Sequence, residues 1–305
     1  SREHAVEKII HLRDRKHWYV LEADIKNFFN AVDQATLIQK INAILPDNSI
    51  NHLIQDALKA EIGNQNEFSK EEIAFFPDGS MGIPQGGILS PLFANLYLSG
   101  FDKKMLGEGF NLIRYADDFV VLCKSQDDAL KAYNVAKEFL KNKLSLEIHE
   151  LGAPESKTRI VHFSQGFDFL GFSFNYTKIC PNKKTRDKFK GKVEEITKPK
   201  SFGSLIDVLF KLKNMINGWG NAYSFCHSEN LRLNPTDDTM IKIFESLEKH
   251  VRDNFFALLN SCEICPKGKW WRGIHLMRFG IPRLMDFLSK KTLKDITVKH
   301  KKIPR

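Results

Sequence analysis

The chain has 305 residues, enough for about two domains, and its 42% apolar content excludes a wholly disordered protein. No apolar run reaches the roughly 20 residues of a membrane span, and five scattered cysteines, an odd number, argue against a disulfide framework and for a reducing cytoplasm. The net charge of +9 combines a surplus of six between Lys178 and Lys200, a surplus of ten between Lys267 and Arg305, and a body at −7. This division suits an enzyme that gathers carboxylates in one place and holds phosphate backbone in another, although a solvated basic surface explains the charge alone equally well.

The segment Arg2 to Asp14 sets Ala5, Ile9 and Leu12 on one helical face. Its charged opening, Ser1–Arg15, does not read as a signal peptide. Trp18 to Ala23 is a β-prone run with Asp24 at its end, and Asp33 then caps a helix carrying Leu37, Ile38, Ile41 and Ile44 that Pro46 stops. Residues 47–80 are polar and mixed, with Pro77-Asp78-Gly79 as a turn. A Gly/Pro-rich loop, Met81 to Gly87, leads into the apolar segment Ile88 to Leu98, which Ser90, Pro91 and Asn95 interrupt. Leu112–Tyr115 and Phe119–Leu122 form two strands of a hairpin with acids at its tip. Ser125 and Asp128 open a helix with Ala129, Leu130, Tyr133, Ala136, Leu140 and Leu144 on its face. Ile160–Phe163 and Phe167–Phe174 read as further strands, and basic helices follow from about Lys178. This order predicts an α+β domain followed by a helical one.

The chemistry concentrates in two acidic centres, Asp24 and Asp117-Asp118. Carboxylates are the hard oxygen ligands that Mg²⁺ takes, with substrate phosphates completing the shell. Two such ions can activate an attacking hydroxyl and stabilise the leaving oxygen of an in-line phosphoryl transfer. That needs acids from separate strands meeting at one sheet edge. An isolated Asp-Asp pair is more often a solvated turn.

The neighbouring residues decide the matter. Leu21-Glu22-Ala23-Asp24-Ile25-Lys26-Asn27-Phe28-Phe29 resembles the first palm motif of reverse transcriptases. Gly82-Ile83-Pro84-Gln85-Gly86-Gly87-Ile88-Leu89-Ser90-Pro91-Leu92 resembles their nucleotide-contacting loop, and Arg114-Tyr115-Ala116-Asp117-Asp118 their catalytic hairpin. The long form of the loop is similar to that of the group II intron, maturase-type class. Ser156-Lys157-Thr158-Arg159-Ile160, Phe169-Leu170-Gly171-Phe172 and Asn217-Gly218-Trp219-Gly220-Asn221-Ala222-Tyr223 match its next motif, its primer grip and its thumb element.

The resemblance implies a right-hand polymerase: partial fingers and palm over 1–178, a helical thumb over 179–262 and a basic extension over 263–305. It implies two Mg²⁺ ions, with Mn²⁺ able to substitute, held by Asp24, Asp117, Asp118 and the Ile25 carbonyl. Phe29 falls at the sugar gate, where a ring would clash with a 2′-hydroxyl, though a plain core Phe reads the same. Gln85 would contact the nascent pair, with Gly86 letting the backbone approach it. Tyr115 would pack under the primer end or serve as a structural aromatic. Lys157 would neutralise or protonate pyrophosphate, or be a surface lysine. The implied partners are an RNA template, a DNA or RNA primer and dNTPs, without a membrane. A splicing cofactor bound to intron RNA, or the reverse transcriptase of a CRISPR integrase or phage-defence system, shares the same motifs. Fingers strands do not fit in the 23 residues before Asp24: the chain is a fragment, takes its fingers from another chain or is catalytically reduced, and Ser1-Arg2-Glu3-His4-Ala5-Val6, which resembles the middle of the family's second fingers motif, favours the fragment. Cys262 and Cys265, with Cys226, His227 and His275 nearby in sequence, read as reduced thiols rather than a zinc site. Trp270-Trp271-Arg272 could stack on bases or be buried.

Overall fold

The computed structural model of the chain describes residues 1–47, 49–58, 69, 80–153, 156–198, 204–227, 238–261 and 280–288. Pro77-Asp78-Gly79, Cys262 and Cys265, His275, the Trp270-Trp271-Arg272 segment and most of the basic extension lie outside the described residues. The chain divides into two compact units, Ser1–Gln165 and Gly166–Arg305. The α+β class is what they show: helices around an antiparallel sheet in the first, a small sheet with helices in the second.

In the first unit, α1 (Arg2–Asp14) precedes β1 (Tyr19–Asp24), α2 (Phe28–Ala31), α3 (Gln34–Asn42) and α4 (Asn51–Leu58). Then come α5 (Ser90–Gly107), β2 (Asn111–Tyr115), β3 (Asp118–Cys123), α6 (Gln126–Leu144) and β4 (Arg159–His162). The strands form one sheet in the order β2-β3-β1-β4, every neighbouring pair antiparallel. Strand alternation sends Leu21, Ala23, Leu112, Phe119 and Val121 into a core with Tyr97 and Phe101 of α5 and Ala132 and Ala136 of α6. The alternate set, Val20, Ile113, Val120 and Leu122, is buried as well, and α1 packs against β2 and β3. Burial of both sets explains why β3 is apolar without a break from Phe119 to Cys123.

Local signals set the helix ends. Asp33 accepts the backbone N–H of Thr36 at the start of α3, and Ser125 accepts that of Asp128 at the start of α6. The apolar segment after the glycine loop is mostly helix, with Pro91 in its first turn, where a missing N–H costs nothing. The Tyr97 hydroxyl, inside the core, donates to the Leu144 carbonyl at 2.9 Å and ties α5 to the end of α6. Within the polar stretch 47–80 the structure finds α4, which buries Leu58. Among the described residues no helix is long and apolar enough to cross a membrane.

In the second unit the Phe167–Phe174 stretch is not one strand but a hairpin, β5 (Phe167–Phe169) and β6 (Phe172–Phe174), joined to β7 (Ile179–Pro181). The cause is the Leu170-Gly171 pair, both at positive φ (53° and 86°), as a tight two-residue turn requires. The Gly171 carbonyl accepts from the Asn182 N–H at 2.9 Å and from Thr185 Oγ1 at 3.1 Å. A Cβ on Gly171 would stand 3.0 Å from that hydroxyl, so the turn requires glycine twice over. Helices α7 (Lys183–Ile196), α8 (Leu205–Tyr223) and α9 (Thr239–Ser261) follow. Trp219 sits at their centre, its ring centroid 5.1 Å from Phe189 of α7, 4.8 Å from Tyr223 and 5.1 Å from Phe244 of α9.

Candidate active site

Register alone assembles the acidic centre. Asp24 ends β1 opposite Asp118, the first residue of β3, and Tyr115 ends β2 opposite the same Asp118. On the other side β1 pairs Glu22 with Arg159 of β4, so the same register carried two residues further brings Lys157 level with Asp24. Tyr115, Asp118, Asp24 and Lys157 thus form a row across one end of the sheet. Asp117 stands in the tight link between β2 and β3.

The Lys157 ammonium lies 2.8 Å from Asp24 Oδ2. That hydrogen bond and the Asp24 charge, with smaller contributions from Asp118 and Asp117, raise the Lys157 ammonium above its ordinary value, so it stays protonated. Burial pushes the Asp117 carboxyl up, and the charge of Asp24 adds to this, while its own backbone N–H and Lys157 pull it down. Among the described residues no three His, Cys, Asp or Glu side chains form a ready-made ligand cluster. The donor set nevertheless fits a hard divalent cation that keeps water and substrate phosphates in its shell. It offers three carboxylates at one sheet end, two of them directly opposed, with a cation already drawn to one of them.

A raised Asp117 value has a consequence for stability. A carboxyl whose folded value exceeds its unfolded one contributes fully below the unfolded value, and the contribution disappears as pH rises through the folded one. At neutral pH the fold therefore carries a partly desolvated anion beside Asp24. Asp117→Asn should raise the melting temperature by about 1–3 °C near neutrality, and by nothing at about pH 3. Thermal melts at both pH values, without divalent ions, check this; equal effects at the two would contradict it.

The Met81–Gly87 loop is tied to the segment after Asp24 by backbone bonds. The Ile83 N–H donates to the Phe29 carbonyl and the Gly82 N–H to the Val32 carbonyl, both at 2.7 Å. Gln85 and Gly86 remain exposed, and the φ of 85° at Gly86, not crowding, is what calls for glycine. Phe28 is 1% exposed in the core, whereas Phe29 is only partly buried at its margin. Ile25 has a buried side chain and a backbone bridged to Ile148, and the Tyr115 ring is half exposed. Cys226 is buried, as are Cys123 and Cys180. Burial pushes the Cys123 thiol up to about 12, which leaves it inert at neutral pH.

Sequence reasoning missed the residues that brace the row. Arg159 donates to Glu22 across β4 and β1. Arg114 binds Asp102 of α5 through two nitrogens. Arg114 was visible within its motif, but nothing local marks Asp102, which lies one helix earlier in the chain.

Comparison with known proteins gives the family. The chain is 28% identical to the group II intron-encoded protein LtrA of Lactococcus lactis subsp. cremoris, over 65% of this chain and 41% of that protein. It is 25% identical to protein YkfC of Escherichia coli K12, over 52% of this chain and 46% of that one. It is 22% identical to a putative COX1/OXI3 intron 2 protein of Saccharomyces cerevisiae, over 53% and 24%. The chain thus spans less than half the length of these relatives. Among solved structures, apo telomerase from Candida tropicalis aligns with a TM-score of 0.44 at 14% identity, over 96% of this chain and 51% of that one. Residues 2–174, which include every acid of the row, match the reverse transcriptase (RNA-dependent DNA polymerase) family, and the chain belongs to that family.

Proposed function

We propose that this chain is the catalytic part of an RNA-directed DNA polymerase whose primer 3′-hydroxyl attacks the α-phosphate of a dNTP. The observation that carries this is the register that sets Asp24 against Asp118 and leaves Asp117 in the link beside them. Asp24, Asp117, Asp118 and the Ile25 carbonyl are the groups to hold two Mg²⁺ ions, which Mn²⁺ can replace. Such ions, when bound, activate the attacking hydroxyl and stabilise the leaving oxygen.

The protein's own groups do the rest. Lys157, protonated beside Asp24, would neutralise the departing pyrophosphate. Gln85 and Gly86, exposed on a pinned loop, meet the nascent base pair, and Tyr115 supports the primer end. Catalysis on this scheme is positioning plus charge, with no covalent step. A role confined to binding RNA, as in a splicing cofactor, has no use for such a row. The test is primer extension on an RNA template in Mg²⁺ or Mn²⁺; a protein that binds template yet extends nothing in either ion would overturn the proposal.

We assign residues 1–178 to partial fingers and palm, 179–262 to a thumb and 263–305 to a basic extension. At the start of the thumb a cleft of about 560 Å³ between α7 and α9 is lined by Lys178, Lys183, Arg186, Lys190 and Lys242, against the two acids Asp187 and Asp238. Arg186 Nε is buried there with no hydrogen-bond partner in the structure. These groups suit backbone phosphate rather than base edges. Replacing Lys178, Arg186 and Lys190 with Gln should flatten the log–log salt dependence of RNA binding by roughly 2, at about 0.7–0.9 per lost contact. Filter binding at several salt concentrations reads this, and an unchanged slope would remove the cleft from the nucleic-acid surface.

A further inference from the structure

The hairpin that carries Asp117 is strained at its tip. Ala116 has a φ of 55°, a left-handed conformation that an alanine adopts only when its surroundings hold it there. The Arg114 side chain holds it there. Arg114 Nη1 donates to the Ala116 carbonyl at 2.8 Å. The same guanidinium forks onto Asp102, Nε to Oδ1 at 2.7 Å and Nη2 to Oδ2 at 2.5 Å, and Nη1 also reaches Asn95 Oδ1 at 3.2 Å. The Arg114 side chain is 7% exposed and that of Asp102 31%. Asn95 and Asp102 lie seven residues apart on α5, two turns along one face, so a single helix supplies both anchors.

The Ala116 carbonyl belongs to the planar peptide that ends at the Asp117 nitrogen. Fixing that oxygen therefore fixes the direction in which Asp117 leaves the turn. We propose that Arg114 is a positioning residue: clamped to Asp102, it holds the Ala116–Asp117 peptide in its left-handed turn and so sets the Asp117 carboxylate for the divalent cation. This rests on the reading of the acidic row as a metal site. The clamp also connects the metal-binding hairpin to α5, the helix that begins three residues after the Gly87 of the nucleotide loop. Lysine cannot substitute, because an ammonium has no planar fork to span carboxylate and carbonyl together.

The test measures Mn²⁺ affinity by the electron paramagnetic resonance of free Mn²⁺, alongside Mg²⁺-dependent primer extension, thermal melting and template affinity. Arg114→Lys and Asp102→Asn should each weaken Mn²⁺ binding about tenfold and raise the Mg²⁺ needed for half-maximal extension to match, with template affinity unchanged. Adding Ala116→Gly to Arg114→Lys should recover part of the metal affinity, since glycine takes positive φ without help. A purely structural role predicts a lower melting temperature with unaltered metal affinity in the folded fraction and no rescue by glycine; that result overturns the clamp. If Arg114→Lys does not fold, Asp102→Asn decides by the same readings. Asp117→Ala separates the two levels: if it binds Mn²⁺ as the unsubstituted protein does, the metal-site reading falls and the clamp with it. If it loses Mn²⁺ while Arg114→Lys and Asp102→Asn keep full affinity, only the clamp falls.

Discussion

Asp117→Ala should abolish primer extension, with a fall of roughly 10³-fold or more, while template binding stays near its unsubstituted value. The size follows from the charge removed. A metal-ligating carboxylate is worth several kcal/mol of transition-state stabilisation, and each 1.36 kcal/mol is about tenfold in rate. The selectivity follows from location. Asp117 is in a two-residue link at the end of the sheet, half buried, and fills no part of the core. Folding should thus survive, and by the argument from its raised carboxyl the neutral variants should melt no lower than the parent. Single-turnover extension and filter binding on one preparation give both numbers. Near-normal synthesis by the variant would remove Asp117 from the site.

The second large effect separates two adjacent rings. Phe28 and Phe29 touch edge to face, with centroids 5.4 Å apart, yet their surroundings differ. Phe28 is enclosed in the core, its ring 6.4 Å from that of Tyr97. Phe28→Ala should therefore cost about 3–5 kcal/mol of stability through the cavity it leaves. Phe29 lies at the margin of that core, its carbonyl accepting the Ile83 N–H of the glycine-rich loop. Phe29→Ala should cost clearly less stability and should raise incorporation of CTP relative to dCTP by an order of magnitude or more, because the space opened admits a 2′-hydroxyl. Denaturant unfolding measures the first quantity and single-turnover incorporation the second. An unchanged CTP to dCTP ratio, with stability lost as heavily as in Phe28→Ala, would make Phe29 a core residue and move the gate elsewhere.

Much of this was readable along the chain because the signals are local. A helix announces itself by spacing and by caps within four residues, as at Asp33 and Ser125. Strands announce themselves by composition, and the acids stand where the runs of β1, β2 and β3 end. Position marked Asp24, Asp117 and Asp118 as candidates, and the resemblance of the motifs around them to those of reverse transcriptases is what joined them as partners before any contact was seen. Where a local signal was weak the reading failed. Leu170 at positive φ is not a residue that marks a turn, so the Phe167–Phe174 hairpin looked like a single strand. The polar look of 47–80 likewise hid α4.

Tertiary structure decided the rest, and the reason is distance along the chain. Lys157 meets Asp24 across 133 residues of sequence, and Arg159 meets Glu22 across 137, pairings that exist only because β4 joins the far side of β1. Neither a propensity nor a period carries that information. The same holds for which of Phe28 and Phe29 is enclosed, since the two are chemically identical neighbours until the core closes around one of them. It holds for Arg114 too, whose motif was plain but whose anchor, Asp102, is an ordinary acid on a helix until the sheet packs against α5. Residue types and their order along the strands fixed what chemistry the chain can carry; packing of the sheet against its helices decided which side chains brace it.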